Sequence, residues 1–421
     1  MSTNIDNAHS LRTTCRACDG IDLKPFLLLG DQPLANSFLK SPDQFAEEKK
    51  YPLNVYRCTD CSLIQLLDVI APEILFRDYI YVTGTSETMA RHNKEYAAEV
   101  VSGLGLGAND LVVEVASNDG SLLACFDEHG VRTLGIEPAR NIAVMARERG
   151  IDTIDEFFGL ELAGKVRAER GVASVVVANN VLAHVDNTRD FLSGCRDLID
   201  DSGRVITEFP YLGELLDRME YDTVYHEHLC YFSVIALMRL YEAVELVIVR
   251  IDRVPVHGGS LRVYATRKSE RSPDHAAPIH VMARQEREQG YHTAEPYEKL
   301  ATAVMANREA LLGLLRMLKN ENTTIAAYGA PAKGNTLLNY CGIDTGLVDY
   351  IVDQNPLKVG LYTPGTHIPV RPVSTLETER PDYILILAWN FAEEIMQLQS
   401  GFAKTGGQFI LPIPNPVVTG P

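Results

Sequence analysis

Short apolar runs alternate with amphipathic stretches through the middle of the chain. The runs at 111–115 (LVVEV), 132–136 (RTLGI), 173–179 (ASVVVAN) and 203–209 (GRVITEF) have the length of buried strands. Helical patterns separate them, so we predict a parallel, doubly wound sheet that binds ligands at the carboxyl ends of its strands. Residues 244–267 indicate two final strands that form an antiparallel hairpin.

The C-terminal third of the chain repeats this arrangement. After a charged helical connection at 282–323, the segments TIAAYG (324–329), VDYIVD (348–353) and DYILIL (382–387) predict three strands, and a glycine turn and a helix follow the first. The sequence therefore predicts a second Rossmann-like α/β unit. The expected domains are an N-terminal one at 1–75, a central one at 76–270 and a C-terminal one at 271–421.

The N-terminal domain carries two CxxC pairs, CRAC at 15–18 and CTDC at 58–61. A gap of two residues lets both thiolates of a pair turn towards one ion, and two pairs complete a tetrahedral site of four sulfur ligands. Because a reducing compartment disfavours disulfides, we predict structural Zn²⁺. The 39 residues between the pairs, including LGDQPLANSFL, must belong to the same small domain. The predicted zinc ligands are Cys15, Cys18, Cys58 and Cys61.

Composition and charge narrow the classes of partner. Hydrophobic residues make up 46% of the 421 residues, and no apolar run approaches the ~20 residues that cross a membrane. The N-terminus lacks the features of a signal peptide, so a cytoplasmic location is expected. A net charge of −17 without a basic cluster argues against nucleic acid. The oligomeric state stays open, and a monomer suits a chain of three domains.

The turn EVASNDG at 114–120 is the first candidate for ligand binding. It departs from the GxGxxG pattern of dinucleotide sites and resembles the ExxSNDG form of the S-adenosylmethionine (SAM) pocket in class I methyltransferases. Taken alone, it would be no more than a turn. Glu137 on the next strand suits the hydroxyls of a ribose, and IDEFFG (154–159) follows the third strand, so we favour a cofactor site.

The segment YHEHLCYF at 225–232 lies between the predicted strand at 203–209 and a helix for which Ser233 is the expected N-cap. We therefore predict a loop at the ligand-binding edge of the sheet. His184, just beyond the predicted strand at 173–179, is expected at the same edge. A His-x-His pair can bind one metal ion in an extended segment, but no further ligands are evident and the cysteines already account for zinc.

Several separated motifs together resemble the sugar C-methyltransferase family: the two CxxC pairs, EVASNDGSLL, NNVLAHV, YHEHLCYFS, HGGSLRV and GAPAKGNTLLNY. The resemblance covers nearly the whole chain. It implies a small zinc-binding domain, a class I SAM domain and a C-terminal domain, with a keto-deoxysugar linked to thymidine diphosphate (dTDP) bound between the last two. It also implies methyl transfer from SAM to a sugar carbon, expected to be C-3′, in antibiotic deoxysugar biosynthesis.

Methylation of carbon requires an enolate, so a base must remove a proton beside the ketone while donors bind the ketone oxygen. We expect His228 to be the base, and Tyr225 and His184 to be the donors. Glu227 is expected to tune His228, to support His184 or to bind the sugar. His226 is expected to be structural.

The remaining candidates form two sets. Those expected to bind SAM are Tyr79, Ser86, Glu114, Ser117, Asn118, Asp119, Gly120, Glu137, Phe157 and Asn179. Those expected to bind substrate are His257, Gly258, Gly259, Ser260, Arg262, Lys333 and Asn335. Lys333 suits a pyrophosphate, whereas the glycines suit a tight bend equally well. Three alternatives stay open: an O- or N-methyltransferase on a sugar nucleotide, an NAD-linked oxidoreductase and a non-catalytic zinc-bearing binding protein.

Overall fold

The computed structural model describes residues 8–79, 87–256, 258–270 and 276–420. The N-terminal part consists mainly of strands. Its elements are β1 (His9–Leu11), β2 (Leu23–Pro33), β3 (Lys50–Cys58), β4 (Ile64–Leu66), β5 (Asp68–Ile70) and α1 (Pro72–Phe76).

The central part alternates helices and strands. Its elements are α2 (Glu87–Leu104), β6 (Leu111–Val115), α3 (Ser121–Asp127), β7 (Arg132–Ile136), α4 (Arg140–Glu148), β8 (Thr153–Ile154), α5 (Leu160–Arg170), β9 (Ala173–Asn179), α6 (Thr188–Leu198), β10 (Ile199–Pro210), α7 (Leu212–Arg218), β11 (Cys230–Tyr231), α8 (Val234–Ala243), β12 (Leu246–Val254) and β13 (Ser260–Arg267).

The C-terminal part begins with two helices and continues as a second α/β unit. Its elements are α9 (Ala276–Glu288), α10 (Glu295–Asn320), β14 (Ile325–Tyr328), α11 (Ala332–Cys341), β15 (Tyr350–Asp353), β16 (Val370–Pro372), α12 (Thr375–Glu379), β17 (Tyr383–Ile386), α13 (Ala392–Leu398), α14 (Ser400–Lys404), β18 (Gln408–Leu411) and β19 (Val417–Thr419).

The central sheet has seven strands in the order β12-β13-β10-β9-β6-β7-β8. Strands β6 to β10 are parallel, and β13 is antiparallel to both β10 and β12. Every side chain of β6 is buried, which explains its continuous apolar run. The predicted parallel sheet with an antiparallel hairpin is confirmed. Ser233 begins α8 as predicted, since its hydroxyl accepts a hydrogen bond from the amide of Ala236.

Strand β11 follows β10 of the central sheet along the chain, but it does not join that sheet. It is the edge strand of a four-stranded sheet in the N-terminal part, whose order is β11-β4-β3-β2. Cys230 pairs with Gln65 and Tyr231 with Ile64. The loop that carries His228 is therefore attached at its end to the N-terminal part. The sequence did not predict α7 or β11, because a seven-residue helix and a two-residue strand are too short to show a periodicity.

The C-terminal sheet has the order β16-β15-β14-β17-β18-β19, and only β19 is antiparallel to its neighbour. The three predicted strands form its centre. One apolar core runs through all three parts of the chain, with Leu63, Phe232 and Leu337 among its buried members. The four cysteines outside the CxxC pairs are all buried: Cys125, Cys195, Cys230 and Cys341. Within the described ranges, no helix is both long enough and apolar enough to cross a membrane.

Candidate active site

A cavity of about 1410 Å³ lies at the carboxyl ends of the parallel strands of both sheets. Its wall includes Ser117 after β6, Glu137 after β7 and Asn179 at the end of β9. From the second sheet it includes Gly329 after β14 and Asp353 at the end of β15. A pocket for one small ligand typically measures roughly 300–1,000 Å³. The cavity therefore has room for two ligands, one beside each sheet.

The end of β6 and the turn after it carry two buried polar atoms that have no hydrogen-bond partner among the described residues, Oε2 of Glu114 and Oγ of Ser117. Burial, reinforced by the charges of Asp119 and Glu137, raises the pKa of Glu114 well above its usual value. Buried polar groups in native proteins are nearly always hydrogen-bonded. The pair therefore fits a polar ligand such as the methionine end of SAM.

Glu137 organises the same turn from the next strand. Its carboxylate accepts hydrogen bonds from the backbone amides of Asn118 and Ala139, both at 2.8 Å. Burial raises the pKa of Glu137, and the two amides act in the opposite direction. Each carboxylate oxygen keeps a further lone pair, so the group can still accept from ribose hydroxyls.

Asp119 and Gly120 belong to this turn but do not line the cavity. Asp119 is fully buried and forms an ion pair of 2.9 Å with Arg149. Gly120 has a φ of +73°, and a Cβ there would lie 3.0 Å from Ile151. In this structure both residues shape the turn that presents Ser117 to the cavity.

Tyr79 and Phe157 lie on the cavity wall next to this turn. Asn141 on α4 holds the backbone of Tyr79 with two hydrogen bonds, of 3.1 and 2.8 Å. The guanidinium of Arg77 lies 4.5 Å from the centroid of the Phe157 ring. Two of the predicted ligand-binding residues, Ser86 and His257, lie outside the described residues.

His228, Tyr225 and Thr223 form a fixed unit on the loop before β11. Nδ1 of His228 lies 2.8 Å from the carbonyl oxygen of Thr223, and Nε2 lies 2.8 Å from the hydroxyl of Tyr225. Because a carbonyl only accepts, Nδ1 must carry a proton. In the neutral ring Nε2 is then the basic nitrogen, directed at the Tyr225 hydroxyl. Both His228 and Tyr225 line the cavity.

The His184 ring packs against this unit, with its centroid 4.8 Å from that of His228. Burial, and then the charge of His228, lowers the pKa of His184 well below its usual value. His184 is therefore neutral near pH 7 and can donate one N–H. Phe76 packs against both His184 and Tyr79, at centroid distances of 5.6 and 5.8 Å. This ring places the histidine pair and Tyr79 on one continuous wall.

Glu227 lies behind that wall and is bound by two side chains that line the cavity. Its oxygens accept from Nδ2 of Asn36 at 2.7 Å and from the hydroxyl of Tyr79 at 3.0 Å. Burial raises the pKa of Glu227 to about 7, although both donors and Lys358 oppose the rise. The carboxyl group therefore contacts Asn36 and Tyr79 and forms no hydrogen bond with His184.

His226 is buried, and its Nε2 donates to the carbonyl oxygen of Pro52 at 3.2 Å. Its place is structural, as expected. In the described part of the chain, only the four cysteines form a cluster of three or more metal-binding side chains. No third ligand therefore joins the two histidines of the His-Glu-His segment.

Lys333, at the start of α11, lines the cavity from the C-terminal side. Its Nζ lies 4.3 Å from the centroid of the Trp389 ring, and the Trp389 indole donates to Asp222 at 2.7 Å. Burial lowers the pKa of Lys333, whereas Asp222 and Glu220 oppose that change. Burial also raises the pKa of Glu220 to about 7. Lys333 is thus a partly buried amine accompanied by two buried acids.

The other predicted substrate residues divide into two groups. Gly258, Gly259 and Ser260 line the cavity at the start of β13. Arg262 and Asn335 do not line it. Arg262 forms an ion pair of 2.8 Å with Glu208, and Asn335 donates to the carbonyl of Ala35 at 2.7 Å. In this structure these two side chains hold protein groups in place.

The sulfur atoms of the four predicted zinc ligands all lie within 4.8 Å of one another. The Sγ atoms of Cys15 and Cys61 are 3.4 Å apart, and those of Cys18 and Cys58 are 3.6 Å apart. Tetrahedral zinc with Zn–S bonds of about 2.3 Å requires sulfurs roughly 3.8 Å apart. The site therefore fits one zinc ion and keeps no position for substrate.

Family models match three successive segments of the chain. A zinc-binding domain matches residues 15–76, a methyltransferase domain matches 89–251 and a C-methyltransferase C-terminal domain matches 255–414. The C-methyltransferase NovU of Streptomyces niveus is 36% identical over 406 residues, which cover 96% of each chain. The chain belongs to the sugar C-methyltransferase family. It is a SAM-dependent C-methyltransferase with a structural zinc site.

Solved structures with a similar fold include magnesium protoporphyrin IX methyltransferase of Synechocystis, with 16% identity, a TM-score of 0.33, and coverage of 42% of this chain and 82% of that one. Another is the CcbJ methyltransferase of Streptomyces caelestis, with 13% identity, a TM-score of 0.33, and coverage of 42% and 89%.

The domain division at residues 75 and 270 stays a prediction. In the structure, β13 (Ser260–Arg267) pairs with β10 of the central sheet.

Sequence reasoning missed three residues of the site. Asn36 and Lys358 line the cavity, and Thr223 fixes the His228 ring through its carbonyl oxygen. Asn36 lies 191 residues before its partner Glu227, so only folding brings them together. A backbone carbonyl gives no signal in the sequence at all.

Proposed function

We propose that this enzyme methylates C-3′, beside the ketone of a dTDP-linked 4-keto-deoxysugar, in the biosynthesis of an antibiotic deoxysugar. The observation that carries the proposal is the fixed His228 imidazole in the wall of a cavity with room for SAM and a sugar nucleotide. A carbon next to a ketone becomes nucleophilic once a base removes its proton. A positioned histidine suits that step because its pKa lies near working pH.

His228 is the proposed base, acting through Nε2. The Thr223 carbonyl binds the proton on Nδ1, so it fixes the ring orientation and stabilises the imidazolium that forms when Nε2 takes a proton from the sugar carbon. In the structure the hydroxyl of Tyr225 occupies Nε2 at 2.8 Å. Substrate binding must therefore turn that hydroxyl from Nε2 towards the ketone oxygen.

Tyr225 and His184 are the proposed donors to that oxygen. Since burial keeps His184 neutral, it can donate an N–H without competing for the substrate proton. Each well-placed donor to a developing oxyanion typically contributes about 10²–10³-fold to the rate. Both rings pack against His228, with centroids 4.8 and 4.0 Å from its own, so base and donors can act on adjacent atoms of one substrate.

When bound, SAM supplies an electrophilic methyl group. Glu114, Ser117, Asn118 and Tyr79 are the proposed contacts of its methionine end, and Glu137 is the proposed contact of its ribose. The orphaned atoms of Glu114 and Ser117 support this assignment. For the sugar nucleotide, Lys333 is the proposed contact of the pyrophosphate, and the Gly258–Gly259 turn lines the same cavity.

Exchange of the substrate C–H in heavy water tests this function directly. The wild-type enzyme should exchange the proton at C-3′ with an unreactive SAM analogue bound, and His228→Asn should lose both exchange and methylation while binding S-adenosylhomocysteine normally. His129→Asn, an exposed histidine outside the cavity, is the matched control. Exchange that persists in His228→Asn contradicts the base assignment. Methyl transfer by the wild type without exchange would indicate an O- or N-methyltransferase.

A further inference from the structure

Asn36 belongs to the zinc-binding part, yet its side chain lines the cavity beside Tyr79. It lies in the connection between β2 and β3, within the segment LGDQPLANSFL. Nδ2 of Asn36 donates to Oε1 of Glu227 at 2.7 Å, and the hydroxyl of Tyr79 donates to the other oxygen at 3.0 Å. This contact orients the Asn36 amide with its nitrogen towards Glu227.

The hydrogen bond to Glu227 uses only one of the hydrogen-bonding groups of the Asn36 side chain. Its Oδ1 has no hydrogen-bond partner in the part of the chain that the structure describes, and Nδ2 carries a second N–H. The side chain is only partly buried. It therefore offers one acceptor and one donor, side by side and in a fixed orientation, to whatever occupies the cavity.

The backbone around Asn36 is held by the C-terminal part. The carbonyl of Ala35 accepts a hydrogen bond of 2.7 Å from Asn335 on α11. Leu39 exchanges two backbone hydrogen bonds with Tyr362, at 3.0 and 2.8 Å. Glu227 thus holds the side chain of Asn36, while Asn335 and Tyr362 of the C-terminal part hold the backbone on either side of it. Such rigidity is what a recognition residue requires.

We propose that Asn36 is a specificity-determining residue that reads a hydroxyl group on the sugar, next to the carbon that is methylated. This inference rests on the proposed function. A hydroxyl both donates and accepts, which matches the exposed Oδ1 and N–H of Asn36. Asn36 and Tyr79 share the Glu227 carboxyl group, and Phe76 packs against both Tyr79 and His184 beside the proposed base. Asn36 and the base therefore belong to one connected wall of the cavity.

The test compares two substrates, a dTDP-linked 4-keto-deoxysugar and its analogue without the hydroxyl next to the reacting carbon. The wild type should prefer the hydroxylated sugar in kcat/KM. Asn36→Ala should lower kcat/KM for that sugar about tenfold, the effect of one hydrogen bond between uncharged partners, and change it little for the analogue. Asn54→Ala, also in the zinc-binding part but outside the cavity wall, should change neither value.

Zinc content and melting temperature are measured on each variant, and Asn36→Asp serves as a second variant of nearly the same size. The new carboxyl group of Asn36→Asp lies next to the carboxyl group of Glu227. The variant should therefore keep the preference for the hydroxylated sugar at low pH and lose activity as pH rises and both acids ionise. Discrimination between the two sugars that is unchanged in Asn36→Ala overturns the inference. A wild type that neither exchanges nor methylates any keto-sugar nucleotide overturns the proposed function instead, and the inference with it.

Discussion

The hydroxyl of Tyr225 lies 2.8 Å from Nε2 of His228. The Thr223 carbonyl occupies the other ring nitrogen, so the phenol is the donor and the imidazole the acceptor. The two side chains are three residues apart, and their ring centroids are 4.0 Å apart. In the proposed reaction the hydrogen bond from Tyr225 to Nε2 breaks, because the phenol turns to the ketone oxygen as Nε2 takes the substrate proton. The hydrogen bond from Nδ1 to the Thr223 carbonyl stays and holds the ring.

Tyr225→Phe should therefore lower kcat by roughly 10²-fold, the typical loss of one donor to an oxyanion. Binding of S-adenosylhomocysteine should stay at the wild-type level, because the turn after β6 is untouched. Single-turnover methylation and proton exchange, measured separately, should fall together. A variant that keeps kcat within threefold of the wild type would remove Tyr225 from the chemistry. Tyr383→Phe on β17, outside the cavity wall, is the matched control.

Glu227 should make stability depend on pH with a definite sign. Burial raises its pKa from 4.5 to about 7 in the folded protein. Between these values the folded chain binds more protons than the unfolded one, so this group's contribution to stability falls as pH rises from about 4.5 to 7 and is constant above. Glu227→Gln cannot ionise. From pH 5 to 8 the wild type should lose up to roughly 3 kcal/mol of unfolding free energy relative to this variant.

Urea unfolding at each pH measures that difference, and Glu128→Gln, an exposed acid on the surface, is the control. The prediction concerns the difference between the two curves, because other buried acids affect both equally. Parallel curves for the wild type and Glu227→Gln would show that Glu227 ionises with its usual pKa in the folded state.

Much of the fold could be predicted because its strands are continuous apolar runs. Buried parallel strands such as β6 and β9 have no polar face, and the helices between them are amphipathic. The short strands β11, β16 and β19 have two or three residues each. Such short strands form only when a neighbouring strand is available for pairing. The local sequence pattern gives no information about that neighbour.

The same contrast applies to the site. His228 and His184 were predictable because they follow strand ends, where ligands bind in such sheets. The partners of Glu227 were not, since Asn36 and Tyr79 come from other parts of the chain. Arg262 looked like a substrate ligand because it follows two glycines, but its side chain on β13 is directed to Glu208 on the adjacent strand.

Zinc removal should affect more than the N-terminal part. Cys58 ends β3, and the neighbouring strand β4 pairs with β11 directly after the His228 loop. Structural zinc contributes directly to folding free energy. Cys58→Ser should therefore lose zinc, lower the melting temperature by about 5 °C or more and reduce methylation. Cys125→Ser, a buried thiol outside the cluster, should retain zinc. A zinc-free protein with wild-type melting and activity would contradict this dependence.

Lys333 should affect the nucleotide substrate and not the cofactor. It is a partly buried amine that interacts with the charges of Asp222 and Glu220, and it lines the C-terminal wall of the cavity. Lys333→Met removes a charge-assisted contact to the pyrophosphate, so KM for the sugar nucleotide should rise roughly 10- to 100-fold and depend less on salt. S-adenosylhomocysteine affinity should not change. Lys299→Met, which removes an exposed helix ion pair with Glu295, is the matched control. If KM and its salt dependence match the wild type, Lys333 only balances the two buried acids, and the pyrophosphate is bound elsewhere.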